Sequence, residues 1–134
     1  MSERSTEDTA GLVTKSSPGS VAETVSRLEN AIVSKGMKLF AVIDHSGEAE
    51  RAGLALRDTR VVIFGSPAAG TPVMLAAPLA ALDLPLRVLV WADGDQTRLT
   101  YTAPSTLAAR YGLSDDLAHR LAGIDALTDA VVAG

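Results

Sequence analysis

The sequence predicts an α+β domain in two layers, with helices packed on a largely antiparallel sheet. Three observations lead there. Strand-like and helix-like segments alternate without a strict β-α-β rhythm. Asp93-Gly94-Asp95 is a hairpin turn between two strand-like runs, and a hairpin joins antiparallel neighbours. One helix, opening at Ser20, has an apolar stripe and so needs a sheet to cover. A small doubly wound parallel sheet is the alternative architecture.

Residues 1–10 form a polar leader that is expected to be disordered, and residues 11–134 form the single domain. Gly11 to Ser17 has strand character. Ser20 stands three residues before Glu23, the spacing of a capping box that satisfies two free N–H groups at a helix start. Val21, Val25, Leu28 and Ile32 then recur at helical spacing, and Gly36 fits the left-handed position that ends a helix. Met37 to Asp44 is apolar on both sides and is expected as a buried strand. Glu48 to Gly53 forms a short helix, with Gly53 its stop.

Thr59 to Phe64 is a second buried strand, rich in β-branched residues. Gly65-Ser66-Pro67-Ala68-Ala69-Gly70 has the composition of a loop, after which Thr71 and Pro72 supply an N-cap and a first-turn proline. Pro78 and Pro85 keep that helix short. Leu86 to Ala92 and Gln96 to Thr102 are the two strands of the hairpin, the second with one wet face. Pro104 to Tyr111 is a helix ended by Gly112. Ser114 caps a last helix, with Asp115 and Asp116 at its positive end and Leu117, Leu121 and Ile124 as its stripe.

Composition removes several function classes. The 134 residues suit one domain with a real core. A net charge of −4, with arginines scattered among acids, disfavours nucleic acid, whose backbone needs a concentrated basic face. With no cysteine there is no disulfide framework, thiolate zinc site or thiol nucleophile. The two histidines, His45 and His119, do not have metal-ligand spacing, so no metal is expected and the cofactor is unknown. The N-terminus lacks the apolar core of a signal peptide, and no apolar run approaches the roughly 20 residues that span a bilayer. The expected setting is cytoplasmic, with no membrane contact.

Three places carry candidate chemistry. The glycine loop follows a strand and opens a helix with the glycine spacing of a phosphate-binding loop. Thr71 stands where its lysine belongs, and Pro72 removes a backbone N–H. A nucleotide-hydrolysing loop is therefore disfavoured. A helix start at Gly70-Thr71 that receives an anion stays open beside a plain tight turn. Asp44 and His45 form an acid and an imidazole at a strand end. They are read either as an acid–base pair or as a helix cap with local hydrogen bonding. Asp83, set among Leu82, Leu84 and Pro85, calls for a partner such as Arg87 or Arg110. Trp91 and Tyr101 sit on hairpin partners, where they stack, line a pocket, or pack in a core or interface.

Taken together, these landmarks resemble the domain of unknown function 302 family (DUF 302). The likeness rests on Ile43-Asp44-His45, Phe64-Gly65-Ser66-Pro67 with Gly70-Thr71-Pro72 and Met74, and Ala81-Leu82-Asp83-Leu84-Pro85-Leu86 with Val90-Trp91. Tyr101, Pro104 and Leu107 to Arg110 extend it, so that it runs from Val13 to Leu113. The resemblance implies a four- or five-stranded antiparallel sheet in a TATA-binding-protein-like arrangement, and a homodimer. It implies no reaction. Ser66 stands where the family usually has Asn, and Tyr111 where it usually has His. Whether the chain is an enzyme is left open.

Two functions are expected from these residues. The first is a domain that binds a small, anionic molecule, with Asp44 and His45 as catalytic acid–base groups. Ser66, Gly70, Thr71, Asp83, Arg110 and Tyr111 are its ligand-binding residues. The alternative is a non-enzymatic homodimeric module that associates through Trp91, Tyr101 and their apolar neighbours.

Overall fold

The computed structural model describes residues 6–7 and 10–134. The leader expected over 1–10 falls largely on residues outside these. Within it, Thr6–Glu7 (β1) pairs with β2 (Leu12–Ser17) as a two-residue strand. The remaining elements run α1 (Val21–Ser34), β3 (Lys38–Asp44), α2 (His45–Arg51), β4 (Thr59–Gly65), α3 (Pro67–Ala76) and a 3-10 turn (Pro78–Asp83). Then come β5 (Leu86–Asp93), β6 (Gln96–Thr102), α4 (Pro104–Tyr111), α5 (Asp115–Leu121) and α6 (Gly123–Val132). Every strand pairing is antiparallel, in the order β1-β2-β6-β5-β4-β3. The α+β expectation holds: five long strands make the sheet, and β1 adds a short edge.

Helix α1 forms because its capping box closes. The Ser20 hydroxyl accepts the Glu23 N–H at 3.1 Å and Glu23 Oε1 accepts the Ser20 N–H at 2.8 Å. The helix ends where Gly36 takes φ +75°, a region that side chains with a Cβ rarely enter. Because β2 and β3 lie near opposite edges of the sheet, α1 crosses the sheet between them. Its Val21, Val25, Leu28 and Ile32 meet Val62, Phe64, Val88, Val90 and Leu99 in one core, which α6 completes with Ile124, Leu127 and Val131. Val73, Ala80, Leu107 and Leu121 form a smaller cluster that ties α3, the 3-10 turn, α4 and α5 together.

Three expectations are corrected. The strand over 38–44 is not buried: β3 is the last strand in the order, and Phe40, Val42 and Ile43 are 45%, 37% and 38% exposed. The helix expected at Thr71 begins one turn earlier. Ser66 accepts the Ala69 N–H and Pro67 takes the first position, so Pro72 falls inside the helix, where its missing N–H leaves one bond unmade. The C-terminal helix is two helices, α5 and α6, which meet at Ala122-Gly123. Of the readings open for Trp91 and Tyr101, the structure gives core packing of Tyr101 and not a stacked pair. Trp91 lies opposite Arg98 with its indole N–H donating to Thr100 Oγ1 at 3.0 Å, whereas Tyr101 points to the other face and is 3% exposed.

One buried group was not foreseen. Lys15 on β2 faces the core and is 3% exposed. Its ammonium donates to Thr128 Oγ1 at 2.6 Å and to the Asp125 carbonyl at 3.0 Å, and pairs with Asp129 Oδ1 at 2.8 Å. It also lies 5.3 Å from the centre of the Tyr101 ring. Tyr101 OH donates to the Asp125 carboxylate, and burial together with that bond pushes its ionisation well above the ordinary tyrosine range. This network fixes α6 to the sheet.

Candidate functional site

One cavity of about 430 Å³ opens where the end of β4 runs into α3. Its walls come from five parts of the chain: Met37 and Phe40; Phe64 to Pro67; Ala69 to Thr71 with Met74; Ala81 with Leu84 to Leu86; and Arg120, Leu121, Gly123 and Ile124. The sequence explains why the space is there. Gly65 lacks a side chain where a Cβ would stand 3.4 Å from the Pro85 Cβ and 3.9 Å from the Phe40 ring, so the floor between them stays open. Gly70 and Ala69 keep the first turns of α3 slim.

The lining is mainly apolar. Its polar side chains are Ser66, Thr71 and Arg120, and Arg120 carries the single charge among the described lining residues. The Ser66 hydroxyl is held as the α3 cap, accepting from Ala69 N–H at 3.3 Å. Among the described residues Arg120 has only a loose partner, Asp116 at 3.8 Å, and both side chains are exposed, so that pair contributes little and the guanidinium can take another anion. No Asp, Glu or His is among the described lining residues, which leaves the cavity without a proton-transfer group of the usual kind.

The expected site residues divide into three places. Ser66, Gly70 and Thr71 line the cavity. Asp83, Arg110 and Tyr111 gather beside it: Arg110 donates to Asp83 Oδ2 at 2.8 Å, Arg87 reaches Oδ1 at 3.4 Å, and Tyr111 OH donates to Oδ2. Both candidate partners of Asp83 are therefore used, and Tyr111 adds a third. The adjoining crevice of about 30 Å³ shares Leu86 and Ile124 with the cavity wall and has room for about one water. The Tyr111 hydrogen bond, followed by the Arg110 bond and charge, holds the Asp83 carboxyl below its usual range, and the bond to Asp83, with burial and the Asp83 charge, raises the Tyr111 phenol above its own.

This arrangement has a pH consequence. A carboxyl depressed in the fold stabilises the fold above its unfolded pKa of about 3.9, and that contribution is lost as pH falls through the folded value. Asp83→Asn is expected to destabilise by about 1.5–3 kcal/mol near neutral pH, the range for hydrogen bonds to a charged group. It should also flatten the decline of stability in acid. Urea midpoints measured between pH 3 and pH 7 would show both effects.

Asp44 and His45 are in the third place, apart from the cavity. β3 pairs Lys38 with Gly65 at the cavity end and Asp44 with Arg60 at the other, six residues or about 20 Å along the strand. Asp44 caps α2, accepting the Gly47 N–H at 2.9 Å and the Ser46 hydroxyl at 2.7 Å. Those two bonds hold its carboxyl below the usual range, which makes it a weak base. His45 is the exposed first residue of α2. Adjacency in sequence produced a cap, and the convergence with Gly70 and Arg110 that an acid–base site needs does not occur.

Sequence reasoning missed Arg120, Met37, Phe40 and Met74. Arg120, spaced four residues from Asp116, reads as an ordinary surface ion pair. The apolar residues carry no local mark that separates a cavity wall from a core.

Comparison with known proteins gives a family from one match and the fold from another. The family model described as "Domain of unknown function DUF302" matches residues 13–131. A protein named fluoride-specific ion channel FluC 1 from Brucella suis biovar 1 (strain 1330) is 45% identical over 112 residues, covering 81% of this chain and 44% of that protein. One named FluC 2 from Brucella melitensis biotype 1 (strain ATCC 23456 / CCUG 17765 / NCTC 10094 / 16M) is 45% identical over 112 residues and is 42% covered. The chain thus spans less than half the length of the curated relatives it matches. Among the described residues, no helix is long and apolar enough to cross a membrane. The crystal structure of an uncharacterized conserved DUF302 protein from Bacillus stearothermophilus superposes with a TM-score of 0.77 at 18% identity, covering 91% of this chain and 95% of that one.

Proposed function

Because the chain belongs to the DUF302 family, whose name sets no reaction, we propose its function from the cavity: it binds a small amphiphilic molecule with an apolar body and one anionic group. The observation that carries this reading is the lining, an apolar space of about 430 Å³ whose sole charge among the described residues is the loosely paired Arg120 at one side. Cavities of this size accept compact metabolites or drug-sized molecules, and their few polar groups set orientation. Burying each methylene contributes about 0.8 kcal/mol, and the guanidinium orients the head group. The channel name of the Brucella proteins belongs to those longer chains and does not supply a role for this domain.

A homologous series of straight-chain carboxylates tests the reading. From butanoate to octanoate, each added methylene should tighten binding by about fourfold until the cavity is full. Octylamine should bind more weakly than octanoate, and octanol in between. In a thermal-shift assay, a ligand at 100 times its dissociation constant stabilises by about 2.7 kcal/mol. A flat response across chain length would contradict the proposal. The homodimer alternative keeps its place but loses its expected surface, since Tyr101 is buried in the core.

A further inference from the structure

The glycines of the cavity wall differ from the others in the chain. Of eleven glycines, Gly65, Gly70 and Gly123 line the cavity. None of these three has a positive φ, and a Cβ at each would meet nothing closer than 3.4 Å. The other eight either take a positive φ or would set a Cβ within 3.2 Å of a side-chain atom. Backbone and packing would therefore accept alanine at 65, 70 and 123. Gly65 belongs to β4 and Gly70 to α3, elements in which glycine lowers stability relative to alanine. What glycine keeps at these places is open space, with bare peptide on the β4 side, on the α3 side and at the start of α6.

The side chains around this space are also distinctive. The chain has two phenylalanines, and both, Phe40 and Phe64, line the cavity, as do both described methionines, Met37 and Met74. Phenyl rings favour aromatic partners in edge-on or offset contact, and thioether sulfurs favour the edge of a ring. The irregularity in β3 between Leu39 and Ala41 takes Phe40 out of the strand's alternation. Its ring is then held by the Lys38 ammonium, 5.0 Å from the ring centre. Size agrees with an aromatic occupant. A cavity of roughly 150 Å³ holds one benzene. The volume of about 430 Å³ therefore admits two fused rings with a carboxylate directed to Arg120.

We propose that the apolar body of the ligand is a flat aromatic ring system, and that Gly65, Gly70 and Gly123 make room for its breadth. Resting on the amphiphile reading of the cavity, this narrows the ligand class. A slender alkyl acid enters but leaves the bare walls uncovered, whereas an aryl acid covers them.

Naphthoate and its saturated counterpart, decahydronaphthoate, share a carbon skeleton and a carboxylate. The saturated acid has the larger apolar surface, so burial alone favours it. Calorimetric titration of the wild-type chain should instead show naphthoate binding at least about tenfold tighter than decahydronaphthoate or octanoate. Phe40→Leu keeps an apolar wall at a half-exposed position and removes one ring. It should weaken naphthoate by at least about threefold and leave the saturated acid unchanged. Gly70→Ala should weaken naphthoate by at least about tenfold and octanoate by less than about threefold, while raising the unfolding temperature. Equal or tighter binding of the saturated acid, or naphthoate affinity unmoved by Gly70→Ala, overturns the proposal. Octanoate binding that lengthens with the chain would then leave the amphiphile reading standing. If neither octanoate nor naphthoate binds, both fall.

Discussion

Lys15→Ala is expected to lower folding stability by about 2–4 kcal/mol, through an emptied stem cavity and lost hydrogen bonds to a charged group. The lysine stem is buried on the core face of β2, and its ammonium holds Thr128, the Asp125 carbonyl and Asp129 together. Lys15→Met keeps the stem's volume and removes a buried ammonium that itself costs solvation. Thr128 still donates to the Ile124 carbonyl at 2.8 Å, and Asp129 is 66% exposed, so neither is left buried and unpaired. The methionine variant should therefore fall within about 1 kcal/mol of wild type. Urea unfolding with unchanged denaturant slope would measure both. Equal losses would show that the charge, and not the packed stem, anchors α6.

Filling the cavity should have a comparable effect on binding. Ala69 lines the cavity from the first turns of α3, and Ala69→Trp places an indole in the space the ligand needs. Octanoate affinity should fall by at least about 100-fold, which is about 2.7 kcal/mol. Arg120→Ala should act differently: octanoate should weaken by about tenfold, or about 1.4 kcal/mol, while octanol is unchanged. Among the described residues Arg120 makes only the loose 3.8 Å pair with Asp116, so its variant should unfold at the wild-type temperature. Calorimetric titration of the two ligands onto the three proteins separates the volume of the cavity from the charge at its side.

Much of the fold was legible in local pattern, and the part that was not legible is informative. The Ser20–Glu23 box, the glycines at 36, 53 and 112 and the hairpin at Gly94 are short-range devices, and each is where the sequence puts it. Strand order is not local. Leu39 to Ile43 reads the same whether its neighbours cover both edges or one, and only the tertiary pairing reveals β3 as an edge. Ser66-Pro67 and Thr71-Pro72 carry the same start signal, and the earlier one opens the helix. That choice moves Gly70 and Thr71 from a helix start into a cavity wall.

The candidate site shows the same division. Ser66, Gly70 and Thr71 stood out through small size and turn chemistry, and they do line the cavity. The Asp83 cluster was legible as a carboxylate needing partners. Asp44 and His45 drew attention as a reactive pair, yet the chain turns between them and places both at the far end of β3. Lys15 was hidden because a lysine in a strand ordinarily marks the wet face. Here its burial depends on α6, more than a hundred residues later in the chain.

Binding of the ligand between α3 and the Arg120–Ile124 corner is the proposal on which the cavity's function rests. Backbone amide shifts of the folded chain, followed by NMR while octanoate is added, locate the ligand without any substitution. Saturable shifts are expected at Gly65, Ser66, Ala69, Gly70 and Arg120 to Ile124, with Asp44 to Gly47 unmoved. Shifts centred on Asp44 and His45, or none at saturating octanoate, would refute the proposal.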